Sequence, residues 1–416
     1  MHVIVGNGIA GLTAAQVMRE FRRGIDVTLV SEEKYPAYSP CIFPKYISGE
    51  IGRERIFLNS HEDYLKIGVR PIFGKRALKI YTDEKKVFLE DGSSLRYDKL
   101  VIATGSKPII PRIDGVEKKG AFTLKTLGDV DEFLAYPKRK IAIVGAGFIG
   151  VETTMALKAK GYDTTLIESL DHVLPAAFDD KPAHVIETTL QKHGIKIFTG
   201  EKVTQILGGK EVKGIEVGGR EIKCDAAVLA TGMRPRVDLA RPAGIKIGKL
   251  GGILTDERMS TNAEGVYACG DCTESRDVVT GRNTLNLLWP NAVLQGRVAG
   301  YNCVGTPKKY RGFINIVGID LFGTHVASIG HTLATIGNGG GCEVVEKTHG
   351  TYYSRIILKK GTIVGAQFIG RTEKMGALFG AIWKKARIED IKKIFSEREL
   401  LTMNPWYMGI RPYLGT

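Results

Sequence analysis

Long apolar runs are missing from this sequence. None approaches the ~18 residues that a bilayer-crossing helix requires, and a first strand read from His2 leaves no room for a leader peptide. Cysteine is sparse, six in 416 residues at positions 41, 224, 269, 272, 303 and 342, which is too scattered for a disulfide framework. The same thiols lack the clustered spacing of iron–sulfur ligands, so the chain is expected to hold no cluster and no metal of its own. Together these absences predict a reducing, cytoplasmic setting. The net charge is +14, yet the basic residues are dispersed and no nucleic-acid motif accompanies them. That argues against a nucleic-acid groove and leaves an acidic partner surface as the expected counterpart.

Glycine, in contrast, is abundant, with 51 residues in a chain whose length predicts two or three domains. Its placement shows an internal repeat. Residues 2–11, HVIVGNGIAG, return in altered form at 141–150, IAIVGAGFIG. Each copy is a short β-branched run entering a G-x-G-x-x-G turn, formed by Gly6, Gly8 and Gly11 and then by Gly145, Gly147 and Gly150. The first glycine permits the tight turn, the second lets a pyrophosphate approach the backbone, and the third lets helix pack on strand. The helix that follows offers its free N–H groups and partial positive charge to the phosphates. A second strand follows each helix, DVTLV and DTTLI, with an acid beyond it: Glu32 lies 21 residues after Gly11 and Glu168 lies 18 after Gly150. Both are placed to accept hydrogen bonds from ribose hydroxyls. Matching strand ends occur at 99–105, KLVIATG, and 226–232, AAVLATG, and TNAEGVYACGDC at 261–272 ends a further strand on Gly270-Asp271. An aspartate there can bond a ribityl hydroxyl, a group that only a flavin carries.

On these residues the chain resembles the FAD-dependent pyridine nucleotide–disulfide oxidoreductase superfamily over about residues 1–395. The resemblance implies an α/β protein with two Rossmann-like dinucleotide-binding domains, for FAD and NAD, in a glutathione-reductase-like arrangement, followed by a C-terminal α+β interface domain. The FAD domain is then discontinuous, 1–110 and 238–305, the NAD domain spans 111–237, and the interface domain spans 308–395. Within the last, YYSRIILKKGTIVGAQFIG reads as strands with helices after it. The first glycine loop, Glu32, the strand end Ala103-Thr104-Gly105 and the pair Gly270-Asp271 are expected to line FAD. The second loop, Glu168 and Gly232 are expected to line NAD(H), and a carboxylate at Glu168 favours NAD over NADP. A helix starting at Trp289, with Asn291 and Ala292 in its first turn and Pro290 suited to that place, is expected to aim its N-terminus at the flavin's pyrimidine edge.

Cys269 and Cys272 form a C-x-x-C inside the flavin-binding strand end, where small residues or cysteine are common in the family, so packing is preferred over a redox dithiol. Cys224, Cys303 and Cys342 read as buried small residues. The stretch YSPCIFPKY at 38–46 carries two signatures. Paired-cysteine members of the superfamily have C-x-x-x-x-C here, and Tyr46 in the second position excludes that disulfide. Cys41, Pro44 and Tyr46 match single-cysteine relatives similar to NADH oxidases, NADH peroxidases and coenzyme A–disulfide reductases, in which a thiolate works beside the flavin. Lys45 matches ferredoxin- and rubredoxin-reductase-like flavoproteins, where a lysine pairs with a glutamate just past the second glycine loop. Glu152 is that glutamate, and a Lys45–Glu152 ion pair is expected. His325 and His331 read as structural.

Three functions are therefore expected in this order. The first is a flavoprotein that moves electrons between NAD(H) and an iron–sulfur protein or partner subunit, such as the flavin subunit of an NAD-reducing 2-oxoacid or aldehyde oxidoreductase. The second is a coenzyme A–disulfide reductase, NADH oxidase or peroxidase using Cys41, and the third is a flavin-bound redox sensor or scaffold. A homodimer or a place in a hetero-oligomeric complex is expected. The tail 396–416, ending MNPWYMGIRPYLGT, is expected to pack on its own chain or a twin subunit, or to act as a docking segment through its aromatic and basic anchors.

Overall fold

The computed structural model describes residues 1–337, 340–349 and 352–387, so the aromatic tail and the end of the expected interface domain lie outside the described residues. The chain divides into two compact units. One comprises Met1–Ser169, Glu201–Asp277 and Arg282–Phe313, and the other comprises Leu170–Gly200, Val278–Gly281 and the chain from Ile314 onward.

Both glycine repeats lie in the first unit. In the first repeat, His2–Val5 pairs in parallel with Val27–Val30 on one side and with Lys99–Ile102 on the other, and Val69–Ile72 and Val266–Ala268 complete the sheet. The second repeat builds the same core: Lys140–Val144 lies between Asp163–Ile167 and Ala226–Leu229, all parallel. Val3, Ile4, Leu29, Leu100, Ile143 and Val228 are fully buried. Their unbroken apolar runs suit parallel strands covered on both faces.

The helix Ile9–Phe21 packs along Trp289–Cys303, and two glycines make that contact possible. A methyl group on Gly296 would fall 2.3 Å from the Ala10 carbonyl oxygen, and one on Gly300 would fall 2.8 Å from that of Ala14. Overpacking of this kind typically costs about 1–3 kcal/mol.

The second unit holds an antiparallel sheet ordered Ile316–Leu321, Thr324–Gly330, Thr362–Ile369, Tyr352–Lys359, Cys342–His349, with the helix Met375–Trp383 against it. The expected strands at 352–369 form a hairpin turning at Lys360 and Gly361, both at positive φ. Leu170–Gly200 joins this unit through Asp179. The Arg355 guanidinium lies 3.0 Å from its carboxylate, and Gln367 donates to it at 2.7 Å. Both ionic side chains are almost wholly buried, so removing one partner would strand a charge.

Candidate functional site

The two glycine loops have the same geometry. Gly6 and Gly145 lie at φ +116° and +104°, and a methyl group on either would meet the carbonyl oxygen of Ala103 or Ala230 at 2.0 or 2.4 Å. On the third glycines the collision is with the loop's own first carbonyl, 2.0 Å for Gly11 and 1.9 Å for Gly150. On Gly8 and Gly147 a methyl group would meet nothing within 4 Å. Both middle glycines are helix N-caps, and no side chain caps the N–H groups behind them. Free donors facing open space over a bare backbone fit a dinucleotide pyrophosphate, and the donor set supplies no competing anion.

The acids beyond the second strands differ. Arg236 donates through both Nη atoms to the Glu32 carboxylate, the Nη2 bond measuring 2.8 Å, and Arg76 stands 3.8 Å away. The Arg236 bond holds the Glu32 carboxyl below its ordinary range. Glu168 is buried, and its Oε2 accepts the Ala146 N–H of its own glycine loop at 2.8 Å.

The strand end Ala103-Thr104-Gly105 is fixed through the main chain. Ala103 N–H donates to Val5, Thr104 Oγ1 donates to the Arg236 carbonyl at 2.7 Å, and Gly105 O accepts Arg236 N–H at 2.9 Å. Gly232, at φ +107°, accepts from Ile109 N–H. Gly270, at φ +80°, donates to Gln295 Oε1 at 2.7 Å and turns the chain so that Asp271 accepts from Ser106 Oγ at 2.8 Å. Lys125 Nζ lies 3.8 Å from the Asp271 carboxylate and 3.0 Å from Ser106 Oγ. Lys125, Ser106 and Arg236 were not found from the sequence. Arg236 follows the ATG strand end closely, but nothing local marks Lys125.

Trp289 opens its helix with Pro290 in the first turn and no side-chain cap, as expected. Ala292 is buried. Asn291 is also buried, and its amide is spent internally: it donates to Ser275 Oγ and the Asn286 carbonyl and accepts from Tyr310. The structure places this side chain as a brace for the helix start.

Cys41 sits in the short turn Pro40–Ile42 that leads into the helix Phe43–Ser48. Its side chain is exposed, yet desolvation by the surrounding protein pushes its thiol pKa up. Nearby Glu152 and Asp271 push the same way, while a Ser39 hydrogen bond and the Lys125 charge oppose them. The expected Lys45–Glu152 ion pair is not formed. Lys45 Nζ donates to Glu50 Oε1 at 2.9 Å, and both side chains are more than half exposed. The six-residue helix points Lys45 outward, toward an acid just past its Gly49 cap. Glu152 is left without that cation, and burial pushes its carboxyl pKa up to about 7. Tyr46, in the second-cysteine position, donates to Asp131 at 2.9 Å, and Arg53 binds the same carboxylate.

Cys269 and Cys272 are fully buried, and Cys272 Sγ lies 3.3 Å from the Cys269 carbonyl oxygen and 3.5 Å from that of Ile102. Burial raises both thiol pKa values, that of Cys272 to about 11, so this C-x-x-C is packing. Among the described residues no cluster of three or more His, Cys, Asp or Glu could hold a metal ion, and no helix is long and apolar enough to cross a membrane.

Comparison with known proteins agrees with this geometry. The family model of pyridine nucleotide-disulphide oxidoreductases matches residues 1–296. An NADH oxidase of Methanocaldococcus jannaschii is 34% identical, covering 94% of this chain and 92% of its own. Subunit epsilon of an NADH-dependent phenylglyoxylate dehydrogenase of Aromatoleum evansii is 32% identical, with 95% and 94% covered. Among solved structures, an NAD-dependent persulfide reductase from A. fulgidus superposes with a TM-score of 0.87 at 29% identity, covering 94% of this chain and 78% of that one.

Proposed function

Since the chain belongs to the pyridine nucleotide-disulphide oxidoreductase family, we propose that it carries electrons between NAD(H) and an iron–sulfur protein or partner subunit. It is an FAD-dependent NAD(P)H oxidoreductase, and FAD and NAD(H) are its cofactors. When bound, these supply the hydride and electron chemistry, while the chain supplies position and field. The first glycine loop, Glu32 and Asp271 hold FAD in this reading, and the second loop with Glu168 holds NAD(H).

The observation that carries the electron-transfer reading is that Cys41 stands alone: the second-cysteine position is Tyr46, which donates to Asp131. A redox cysteine works as a thiolate, and Cys41, though its side chain is exposed, has a thiol pKa raised by desolvation, with Glu152 and Asp271 in its field. The phenylglyoxylate dehydrogenase subunit, matched over nearly its whole length, supports a place within a larger NAD-linked enzyme. Phenylglyoxylate is a 2-oxo acid, in keeping with the flavin subunit of a 2-oxoacid oxidoreductase.

A second reading, a self-contained NADH oxidase or coenzyme A–linked disulfide or persulfide reductase, is favoured by the nearness of Cys41 to Asp271 and by the archaeal oxidase and persulfide reductase relatives. Reductive titration separates the two. A chain whose Cys41 shares the chemistry takes up about four electrons per flavin, and a shuttle takes up about two. In the proposed reading, Cys41→Ser leaves NADH-dependent reduction of a one-electron acceptor intact, and loss of that turnover would overturn it.

A further inference from the structure

The first unit gathers five cations close together along the chain and in space. Lys138, Arg139 and Lys140 enter the strand Lys140–Val144, and Lys158 and Lys160 close the helix Phe148–Ala159 beside them. Among the described residues none of the five makes an ion pair within 4.0 Å. An open cleft of about 390 Å³ runs between the two segments, lined by Arg139, Lys140, Lys158, Gly161, Tyr162 and Asp163. Two carboxylates face this cluster. Asp163 lines the cleft, and one oxygen of Asp225 is occupied by the main-chain N–H groups of Arg139 and Lys140.

Lys138 is turned inward. Its ammonium lies 4.2 Å from the Phe133 ring centroid and donates to the Tyr136 carbonyl at 2.9 Å and to that of Phe133. Burial and the Lys160 charge pull its pKa down to about 8. Cations at a helix C-terminus are ordinary caps, which accounts for Lys158 and Lys160 and for Lys138 at the end of the helix Leu127–Ala135. It does not account for Arg139 and Lys140 at the start of the strand.

The cluster also reaches the segment that bears Cys41. Lys160 Cε would lie 3.3 Å from a methyl group on Gly49, and Gly49 caps the helix Phe43–Ser48, about 9 Å of helix beyond the Cys41 turn. A partner held on these cations therefore sits beside the helix under the site.

We propose that Arg139, Lys140, Lys158 and Lys160 form the docking shelf for the acidic face of the iron–sulfur partner, an inference that rests on the electron-transfer reading above. Concentrated charge of one sign steers encounter and fixes register. A shelf contiguous with the Cys41 helix uses both effects to present the partner's cluster to the site.

The test uses the FAD-loaded full chain and two acceptors: a bacterial 2[4Fe–4S] ferredoxin as the acidic probe and menadione as an uncharged one. The double variant Lys158→Glu/Lys160→Glu is expected to raise the ferredoxin KM about tenfold or more at low salt, leaving kcat and the menadione rate unchanged. Lys158→Gln/Lys160→Gln is expected to fall between, and raising the ionic strength should bring the wild type toward the variants. If the wild type reduces ferredoxin and the reversal moves its KM less than about twofold, the shelf is wrong while the electron-transfer reading stands. If the wild type reduces menadione but exchanges electrons with ferredoxin in neither direction, both fall. Loss of duplex-DNA binding in the double variant, with ferredoxin kinetics unmoved, would assign the shelf to nucleic acid and overturn the proposal.

Discussion

The two glycine loops are the same object up to the first turn of each helix and different objects beyond it. Gly8 and Gly147 have nearly identical backbones, φ −72° and −70°, and equally open space above them. Two residues after the third glycine, the first copy has Thr13, buried and neutral, and the second has Glu152, a carboxyl pushed up to about 7. After the second strand, one acid is held by a distant arginine side chain and the other by its own loop's main chain and the adjacent Ser169 hydroxyl. What binds a pyrophosphate is set by backbone geometry, and so it repeats. What tells one cofactor from another is set by side chains, which are free to diverge.

The middle glycines give the largest effect. Alanine fits both positions sterically and conformationally, so Gly8→Ala and Gly147→Ala should melt within a few degrees of the wild type. Each should nonetheless weaken its own dinucleotide about 100-fold, about 2.7 kcal/mol, because the methyl group stands where the pyrophosphate approaches. Gly8→Ala is expected to purify without flavin colour. Gly147→Ala should keep its colour and show a raised Kd for NADH by fluorescence titration. If both variants keep full affinity for both cofactors, the shared cradle is wrong.

The next effect is a stability difference confined to one copy. Glu152 has a folded pKa raised above its unfolded value, so its favourable contribution is complete below about 4.5 and is lost as pH rises through about 7. In protein stripped of cofactors, Glu152→Gln should gain about 2 kcal/mol on the wild type between pH 5 and pH 8. Urea unfolding at the two pH values measures this. Thr13→Val should show no such pH dependence, and equal slopes for the two variants would remove the asymmetry.

These contrasts also show what was legible in the sequence. The loops were legible because the first and third glycines answer local demands, a positive φ or a carbonyl about 2 Å away, that no other residue meets, and the middle ones keep the backbone bare. The strands were legible because burial on both faces writes an apolar run. The Lys45–Glu152 pair failed because it depended on the rotation of a six-residue helix, and Glu50 lay nearer in the chain. Lys125 beside Asp271 and Arg355 on Asp179 join positions more than 100 residues apart with no pattern between them. The place of Cys41 could be read from its neighbours in sequence, but its acidity is shifted first by desolvation and then by groups such as Glu152 and Asp271, all of which only folding brings about.

A smaller effect separates the cofactors themselves. Glu168→Ala should raise the Kd for NADH about tenfold and narrow the preference over NADPH, leaving FAD content unchanged, since hydrogen bonds to charged groups contribute about 1.5–3 kcal/mol. A variant that loses flavin instead would show that the two acids do not serve separate cofactors.

The smallest effect tests how each acid is held. Arg236 reaches Glu32 from 204 residues away, and both side chains are about a third exposed, so water and salt screen the pair. Arg236→Ala should therefore weaken FAD only about threefold, near 0.5 kcal/mol, and the difference should fade in high salt. The Glu32 carboxyl is depressed in the fold, so the stability it contributes is present at neutral pH and lost as pH falls through its folded value. The variant should accordingly differ from the wild type at pH 7 and converge with it in acid. Glu168 is held from closer by: Ser169 Oγ donates to its Oε1 at 3.2 Å, and its Oε2 accepts the Ala146 N–H, a bond that no side-chain substitution at the donor removes. The first acid can be loosened from outside the loop, whereas Ser169→Ala would remove one bond from the second and leave its bond to the phosphate-binding turn in place.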